Sequence, residues 1–295
     1  MKNLGAQEIQ EKVEKIKIFT KRLMRSYLIG DYLSAFKGSG LEFEQIREYQ
    51  LGDDVRFIDW NASAKANKIM IKQFVEERDR VVILLIDVSR SSIFSSKKEL
   101  RKDMIAKVAA TLAFIASNNK DRVGILFFSD RIEKWIAPSR NKLHIANIIE
   151  SIFSIKPQST NTNINQALNF LVGLKKNNAI VFVLSDWIDD IDNYSKILKI
   201  ASCKYDFIGI RFVDNCEINL PDVGFLQIKD LESGELFNID TRGKQNRLNI
   251  SLQARLIEQK KIFAKYKIDL LDLTVGQPFI NPLVNFFKQR IRRQI

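Results

Sequence analysis

The chain is poor in the residues that metal and redox chemistry most often use. Among its 295 residues there are one histidine and two cysteines. Cys203 and Cys216 do not have the spacing of a zinc or disulfide-exchange motif, so two free thiols are the simplest interpretation. A Ser–His–Asp triad would need His144, which lies in a helical stretch with no nucleophile motif nearby. Histidine-rich zinc sites are therefore excluded.

Long apolar runs are also absent. The longest runs, residues 81–86 and 179–184, have six residues each, whereas a membrane helix needs about 20. The opening sequence, MKNLGAQEIQEKVEK, lacks the apolar core of a secretory signal. Together with the few cysteines, these absences favour a cytoplasmic protein. No GxxxxGK[ST] loop occurs, so the chain itself is not predicted to be a P-loop ATPase.

What is present is an ordinary globular composition, with 45% hydrophobic and 28% charged residues. The length suits one large domain with an extension. We predict an N-terminal helical extension at 1–36, with a helix at 6–24. A short extended segment at 37–79 is expected to pack on a main domain at 80–295.

The regular part of the sequence begins at Arg80. Continuous apolar runs at 80–87, 122–128, 179–186 and 206–214 are typical of strands that are buried on both faces. They alternate with helical stretches at 98–118, 140–154, 164–175, 192–202 and 245–267. Further strands are predicted at 131–137 and 268–274, a hairpin at 231–240 and a final helix from about 281. This alternation predicts an α/β fold, a mostly parallel sheet with helices on both faces.

Polar side chains follow two of the predicted strands at their carboxyl ends. The loop Asp87-Val88-Ser89-Arg90-Ser91 follows the first strand, and Asp186 ends the third. Ligands of open parallel sheets bind at this edge. Carboxylate and hydroxyl oxygens form a hard ligand set that suits Mg²⁺ or Mn²⁺. A helix N-cap loop is the alternative, because Asp and Ser also accept hydrogen bonds from free backbone N–H groups.

A third loop, SerThrAsnThrAsn at 159–163, enters a helix and adds more hydroxyls. Thr162 is the expected contributor, and Thr160 is its rival. The order of these motifs resembles the metal-ion-dependent adhesion site of von Willebrand factor A domains.

The preceding segment extends this resemblance. The motifs G38-S-G40-L-E-F, I46-R-E-Y, G52-D-D-V-R, I58-D-W60, S63-A-K and K72-Q-F-V-E-E occur in order before the DxSxS strand. They closely resemble the bacterial family called domain of unknown function 58, over residues from about 30 to 190.

The resemblance implies a von Willebrand A-like fold and a protein-interaction role rather than an enzymatic one. It implies a MoxR-type AAA+ ATPase as the partner and Mg²⁺ or Mn²⁺ as the cofactor. An acidic side chain of the partner would complete the metal coordination. Ser89, Ser91 and Thr162 would be direct ligands, and Asp87 and Asp186 would bind directly or through water. A small-molecule substrate is not expected.

The segment at 38–79 is dense in acids, arginines and aromatics. It could form a second site for catalysis or metal, or a buried network of arginine–carboxylate pairs that locks an extended segment onto the sheet. We favour the network because no His or Cys nucleophile lies among these residues. The residues concerned are Glu42, Glu44, Arg47, Asp53, Asp54, Arg56, Asp59 and Trp60.

Two other functions are weighed against the interaction module. A haloacid-dehalogenase-type phosphatase would use Asp87 as its nucleophile, but it needs a second Asp two residues later, where this chain has Ser89. Binding of nucleic acid or an anionic membrane surface would use the basic C-terminus. The net charge is +12, and residues 241–295 hold 12 Lys and Arg against three Asp and Glu. Because no nucleic-acid-binding motif accompanies this charge, nucleic acid is the less favoured partner.

Overall fold

The computed structural model describes residues 14, 40–77, 80–93, 100–159, 161–175, 179–218, 224–229, 236–241 and 247–294, although not every side chain within them. Two compact units are present, a small one at Phe36–Arg80 and a large one that includes Val81–Ile295. The helix expected at 6–24 lies outside the described residues, apart from Glu14. The predicted domain boundaries stay a prediction.

The described strands and helices follow in chain order. The strands are β1 (Gly40–Glu48), β2 (Met70–Glu77), β3 (Val81–Asp87), β4 (Arg122–Phe128), β5 (Ile132–Ser139), β6 (Ile180–Ser185), β7 (Asp206–Val213), β8 (Phe225–Lys229), β9 (Leu236–Asp240) and β10 (Asp269–Thr274). The helices are α1 (Trp60–Ala66), α2 (Arg101–Asn118), α3 (Lys142–Ser154), α4 (Ile164–Gly173), α5 (Ile191–Lys204), α6 (Asn215–Ile218), α7 (Arg247–Lys265) and α8 (Ile280–Gln294). None of the described helices combines the length and apolarity needed to cross a membrane.

The small unit is an antiparallel pair of strands, β1 and β2, with α1 between them in sequence. Asp59 begins α1 because its carboxylate accepts a hydrogen bond from the backbone N–H of Ala62 at 3.0 Å. Asn67 ends the helix in the left-handed conformation, at φ 54°.

The large unit is built on a six-stranded sheet in the order β10-β7-β6-β3-β4-β5. All neighbouring pairs are parallel except β4 and β5, which are antiparallel. Counted along the chain, this is the doubly wound order 3-2-1-4-5-6, read from β5 to β10. The sequence-based prediction of an α/β fold with a mostly parallel sheet is confirmed.

The core lies on both faces of this sheet, because the central strands alternate their side chains between two layers of helices. Val81, Ile83 and Leu85 of β3 pack in one cluster with α4, α5 and Phe263 of α7. The intervening side chains of β3 are buried as well, and α2 contacts β3, β4 and β6 on its own side. This two-sided burial explains why β3 has no polar residue before Asp87.

The predicted hairpin at 231–240 is only partly right. Its second half is β9, but β9 pairs with β8 at 225–229. Residues 230–235, between the two strands, lie outside the described residues.

Candidate functional site

The candidate site lies where the winding of the sheet reverses. From β3 the chain continues to β4 on one side, and it later returns to β6 on the other side. Asp87 is the last residue of β3, and Asp186 directly follows β6. Such a switch point leaves a crevice at the carboxyl ends of the strands, which is the usual ligand position in open α/β sheets.

Asp87 is the centre of a buried hydrogen-bond cluster. Its Oδ1 accepts from the Ser89 hydroxyl at 2.6 Å and from the Ser89 backbone N–H at 3.0 Å. Its Oδ2 accepts from the Ser185 hydroxyl at 2.7 Å. The Ser89 and Ser91 hydroxyl oxygens lie 2.9 Å apart. The predicted carboxylate and two hydroxyls are therefore brought together.

The electrostatics of this cluster leave Asp87 short of compensating charge. Burial raises the pKa of the Asp87 carboxyl to about 7, and the nearby charge of Asp186 adds to the rise. Hydrogen bonds from Ser89 and Ser185 lower the same pKa without cancelling the effect of burial. A positive charge at this position would favour the ionised carboxylate.

The DxSxS loop does not cap the long helix that follows it. Residues Arg90–Ile93 form a short 3-10 turn, in which the Ser92 hydroxyl donates to the Ser89 carbonyl at 2.7 Å. Helix α2 begins only at Arg101, and its N-cap residue, Leu100, makes no side-chain cap bond. The helix-cap alternative is therefore wrong for α2, although Asp87 does hold the backbone N–H of Ser89.

Thr162 lies in a loop that is anchored to the same edge of the sheet. The backbone N–H of Asn163 donates to the Ser129 carbonyl at 3.0 Å, directly after the end of β4. The Asp189 carboxylate accepts from the N–H of Ile164 at 3.1 Å. Thr162 itself is half-buried, while its rival Thr160 lies outside the described residues.

Asp186 is held by a buried cation that the sequence patterns did not indicate. Arg101 Nη1 donates to Asp186 Oδ2 at 2.7 Å, and the backbone N–H of Ile188 donates to Oδ1 at 3.1 Å. Arg101 Nη2 also donates to Glu217 Oε2. Both carboxylate oxygens of Asp186 are thus already engaged by the protein.

Some neighbours of the site carry a signal in the sequence, and Arg101 does not. Strand β7 is also followed by an aspartate, Asp214. The expectation that polar residues after parallel strands meet at one edge of the sheet therefore applies to Asp214 and to nearby Glu217. Ser185 directly precedes Asp186 in the chain. Arg101 has no such signal, because an arginine at the start of a helix usually faces solvent.

Trp187 does not crowd the site. Its backbone has φ 59°, and its indole is buried in the core, edge-on to Phe263 with ring centroids 4.9 Å apart. The Gln259 amide donates to the Trp187 carbonyl at 2.6 Å and holds this turn.

The charged residues of the small unit form separate pairs. Arg47 makes two hydrogen bonds of 2.7 Å to Asp53, and these bonds hold the pKa of the Asp53 carboxyl below its usual range. Arg56 pairs with Asp54 at 2.6 Å, and Lys72 lies 3.3 Å from Asp59.

The arginine–carboxylate pairing is as expected, but the prediction that the pairs are buried is wrong, because their side chains are half-buried or exposed. Trp60 is 71% exposed. The side chains of Glu42 and Glu44 lie outside what the structure describes.

The oxygen set fits a hard divalent cation better than it fits a softer metal. Among the described residues, no three His, Cys, Asp or Glu side chains are grouped to hold a metal. A cation here would depend on the hydroxyls of Ser89 and Ser91 with Asp87, a donor set that suits Mg²⁺ or Mn²⁺.

The fold and the strand-end cluster define an α/β protein with a hydroxyl and carboxylate loop at its switch point. Residues 45–260 match the family described as "Protein of unknown function DUF58", and the chain belongs to this family.

The chain is also similar to individual proteins. It is 25% identical over 229 residues to the uncharacterized protein Rv1480 of Mycobacterium tuberculosis and to the uncharacterized protein Mb1516 of Mycobacterium bovis, covering 76% of this chain and 72% of each relative.

Similar solved structures include BatB from Bacteroides thetaiotaomicron, at 14% identity and a TM-score of 0.46, covering 72% of this chain and 99% of that one. The SpRpn10 VWA domain is 12% identical with a TM-score of 0.40, covering 70% of this chain and 94% of that one.

Proposed function

We propose that this protein is a non-enzymatic interaction module that binds Mg²⁺ or Mn²⁺ at the switch-point site. The observation that carries the proposal is the buried Asp87 carboxylate with the Ser89 and Ser91 hydroxyls converging beside it. A bound cation would supply a positive centre that an acidic side chain of a protein partner can approach.

The ligand set is the one that the family resemblance implies, and the contacts among Asp87, Ser89 and Ser91 support part of it. Ser89 and Ser91 would hold the cation directly through their hydroxyl oxygens, and Thr162 would add a third hydroxyl from the neighbouring loop. Asp87 would contribute its negative charge beside them. Asp186 would bind directly or through water, with the lone pairs that Arg101 and the backbone N–H of Ile188 leave on its two oxygens.

The absence of enzymatic activity is part of the proposal. A phosphatase of the haloacid-dehalogenase type would need a general acid two residues after Asp87. Ser89 occupies that position, and its hydroxyl already donates to Asp87. Hydrolysis of p-nitrophenyl phosphate that is lost in Asp87→Asn would overturn this part of the proposal.

We further propose that the partner is a MoxR-type AAA+ ATPase, for which this chain would act as an adaptor or co-chaperone in the cytoplasm. The support is the family resemblance, together with the attraction that a cation at this site would exert on an acidic side chain of the partner. The test is the binding of a purified MoxR-type ATPase, measured by surface plasmon resonance with Mg²⁺ and again with EDTA. Binding that is equal in EDTA would contradict a cation-dependent contact.

Two buried serines of one loop allow a matched test of cation binding. We expect millimolar Mg²⁺ or Mn²⁺ to raise the unfolding temperature of the wild type and of Ser92→Ala. The same ions should not raise the unfolding temperature of Ser89→Ala or Asp87→Ala. A ligand at 100 times its Kd adds about 2.7 kcal/mol to the free energy of unfolding.

Ser92 is the control because it is 4% exposed and donates to a backbone carbonyl, so its loss changes the stability of the loop and not the ligand set. An equal metal-dependent rise in all four proteins would place the cation elsewhere.

A further inference from the structure

Arg101 is a fully buried charge at the edge of the proposed cation site. It is the first residue of α2, and its exposure is 0%. Arginine is almost never fully buried unless it is paired, because removing a guanidinium from water is costly. The position therefore requires anionic partners inside the fold.

Two carboxylates and one backbone carbonyl, from three chain segments that meet at the carboxyl edge of the sheet, are its partners. Arg101 donates to Asp186 after β6, to Glu217 in α6, and to the backbone carbonyl of Ser91 in the DxSxS loop at 3.2 Å. Glu217 in turn accepts from the backbone N–H of Asp214, after β7, at 3.2 Å. The guanidinium thus joins the proposed ligand loop to the ends of two neighbouring strands.

The arrangement divides the site into two sides whose carboxylates have different kinds of partner. On one side, Asp186 and Glu217 share the charge of Arg101. On the other side, Asp87 has only hydroxyl and N–H donors in its described contacts. Burial would lower the pKa of Arg101, but the charges of Asp186 and Glu217 outweigh it, so the guanidinium stays protonated.

We propose that Arg101 is the built-in counter-ion of this site, which stabilises the metal-free fold and weakens the binding of a divalent cation. The second half of this inference rests on the proposed function, whereas the first half does not. Arg101 donates to Asp186 and to the Ser91 carbonyl, and a positive charge beside the proposed ligands repels a divalent cation. The result would be a site that releases its cation readily.

The first test is a double-mutant cycle in EDTA, which requires no metal. It compares the unfolding temperatures of wild type, Arg101→Met, Asp186→Asn and the double variant. Met is chosen because it is unbranched and adapts to an apolar space. We expect Arg101→Met to lower the midpoint by more than about 5 °C, because it leaves Asp186 buried without its counter-ion.

Adding Asp186→Asn to Arg101→Met should then recover part of the loss, and Arg101→Lys should lie closer to the wild type than Arg101→Met does. Additive effects of the two substitutions would overturn the counter-ion role. Should Arg101→Met alone fail to fold, a folded double variant would support the role, and a double variant that also fails to fold would overturn it.

The second test measures Mn²⁺ affinity by the electron paramagnetic resonance signal of the free ion. We expect Arg101→Met to bind Mn²⁺ at least tenfold more tightly than the wild type, and Arg101→Lys to stay within about threefold of it. Equal or weaker binding by a folded Arg101→Met would overturn the competition between Arg101 and the cation.

The two tests separate the failure of this inference from the failure of the proposed function. Coupling in EDTA without Mn²⁺ binding by any protein would remove the metal function and leave the counter-ion role standing. Mn²⁺ binding by the wild type, together with additive effects in the double-mutant cycle, would remove the counter-ion role and leave the metal function standing.

Discussion

At the scale of single residues, Asp87 is held in place by donors but not by a charge. It is 3% exposed, and three of its neighbouring donors are the Ser89 hydroxyl, the Ser89 backbone N–H and the Ser185 hydroxyl. Hydroxyl and amide dipoles orient a carboxylate, but they do not replace its lost hydration completely. The metal-free protein therefore carries a local electrostatic cost at this residue.

This cost gives a pH dependence whose sign follows from the raised pKa. The carboxyl titrates at about 7 in the folded protein and near 3.9 when unfolded. Between these values the folded state binds a proton that the unfolded state lacks, so the free energy of unfolding falls as the pH rises. In EDTA, the wild type should lose stability relative to Asp87→Asn as the pH rises from about 4.5 to about 7.

Urea unfolding at four pH values measures this difference. Asp130→Asn is the control, because a hydrogen bond from Arg131 holds the pKa of the Asp130 carboxyl below its usual range. A lowered pKa does not make the free energy of unfolding fall as the pH rises from about 4.5 to about 7. Parallel stability curves for wild type and Asp87→Asn would contradict the prediction.

The same residues mark how far sequence reasoning reaches. Asp87, Ser89, Ser91 and Asp186 were predictable because the carboxyl ends of adjacent parallel strands meet at one edge. Arg101 was not, since its burial depends on which strands become neighbours of β6 and β7. A one-dimensional pattern does not contain that information.

At the scale of elements, β7 approaches the helix layer so closely that one position excludes a side chain. A Cβ added at Gly209 would lie 2.6 Å from Phe263 Cε1 and 3.1 Å from Leu270 Cδ1. Phe263 is 1% exposed and packs edge-on to Trp187. Gly209 therefore sets the distance between β7 and α7.

We expect Gly209→Ala to lower the free energy of unfolding by about 1–3 kcal/mol, because the new methyl group must displace a packed ring. Denaturant unfolding measures the loss. Gly173→Ala is the matched control, since nothing lies within 4 Å of its added Cβ and alanine favours a helix over glycine by about 1 kcal/mol. Equal effects of the two substitutions would show that the spacing at Gly209 is not tight.

Elements with continuous apolar runs were the most predictable. The strand at 122–128 was predicted at its observed bounds. A strand that is buried on both faces is a continuous apolar run, so its ends are visible in the sequence. Strand β8 was missed, since its sequence FLQIK is short and Phe225 is 75% exposed. A short strand whose side chains do not pack in a core has little hydrophobic pattern by which the sequence could reveal it.

At the scale of the whole molecule, the excess positive charge of the C-terminus is partly used inside the fold. Arg290 is paired with both Asp206 of β7 and Asp269 of β10, and Arg293 donates to Asp269 at 2.8 Å. Phe287 is fully buried on the same helix. Deleting residues 286–295 would therefore damage the fold, so it is a poor test of binding to anionic partners.

Point substitutions separate the two roles of this helix. We expect Arg290→Ala to cost about 1.5–3 kcal/mol of stability, because two carboxylates lose a charged hydrogen-bond donor. Arg292→Ala, on an exposed side chain, should change stability by no more than about 0.5 kcal/mol. Calorimetric unfolding compares them. Should Arg292→Ala prove as costly as Arg290→Ala, the ion pairs of Arg290 would not be the cause.

Salt-dependent binding to an oligonucleotide or to anionic vesicles can then be compared between the wild type and Arg292→Ala. The general fold was predictable at this scale, because strand and helix patterns alternate along most of the chain. The partner was not, since the described surface carries no motif that names one.

The position of Trp187 makes its fluorescence a reporter of the switch-point site. It is one of three tryptophans, it directly follows Asp186, and its indole is enclosed by Phe263 and Tyr194. Indole emission shifts in wavelength and intensity with the polarity and motion of its surroundings. With Trp60 and Trp135 replaced by phenylalanine, the protein would carry an intrinsic fluorophore one peptide bond from the acid that Arg101 holds, and changes at the site could be followed by emission without any added label.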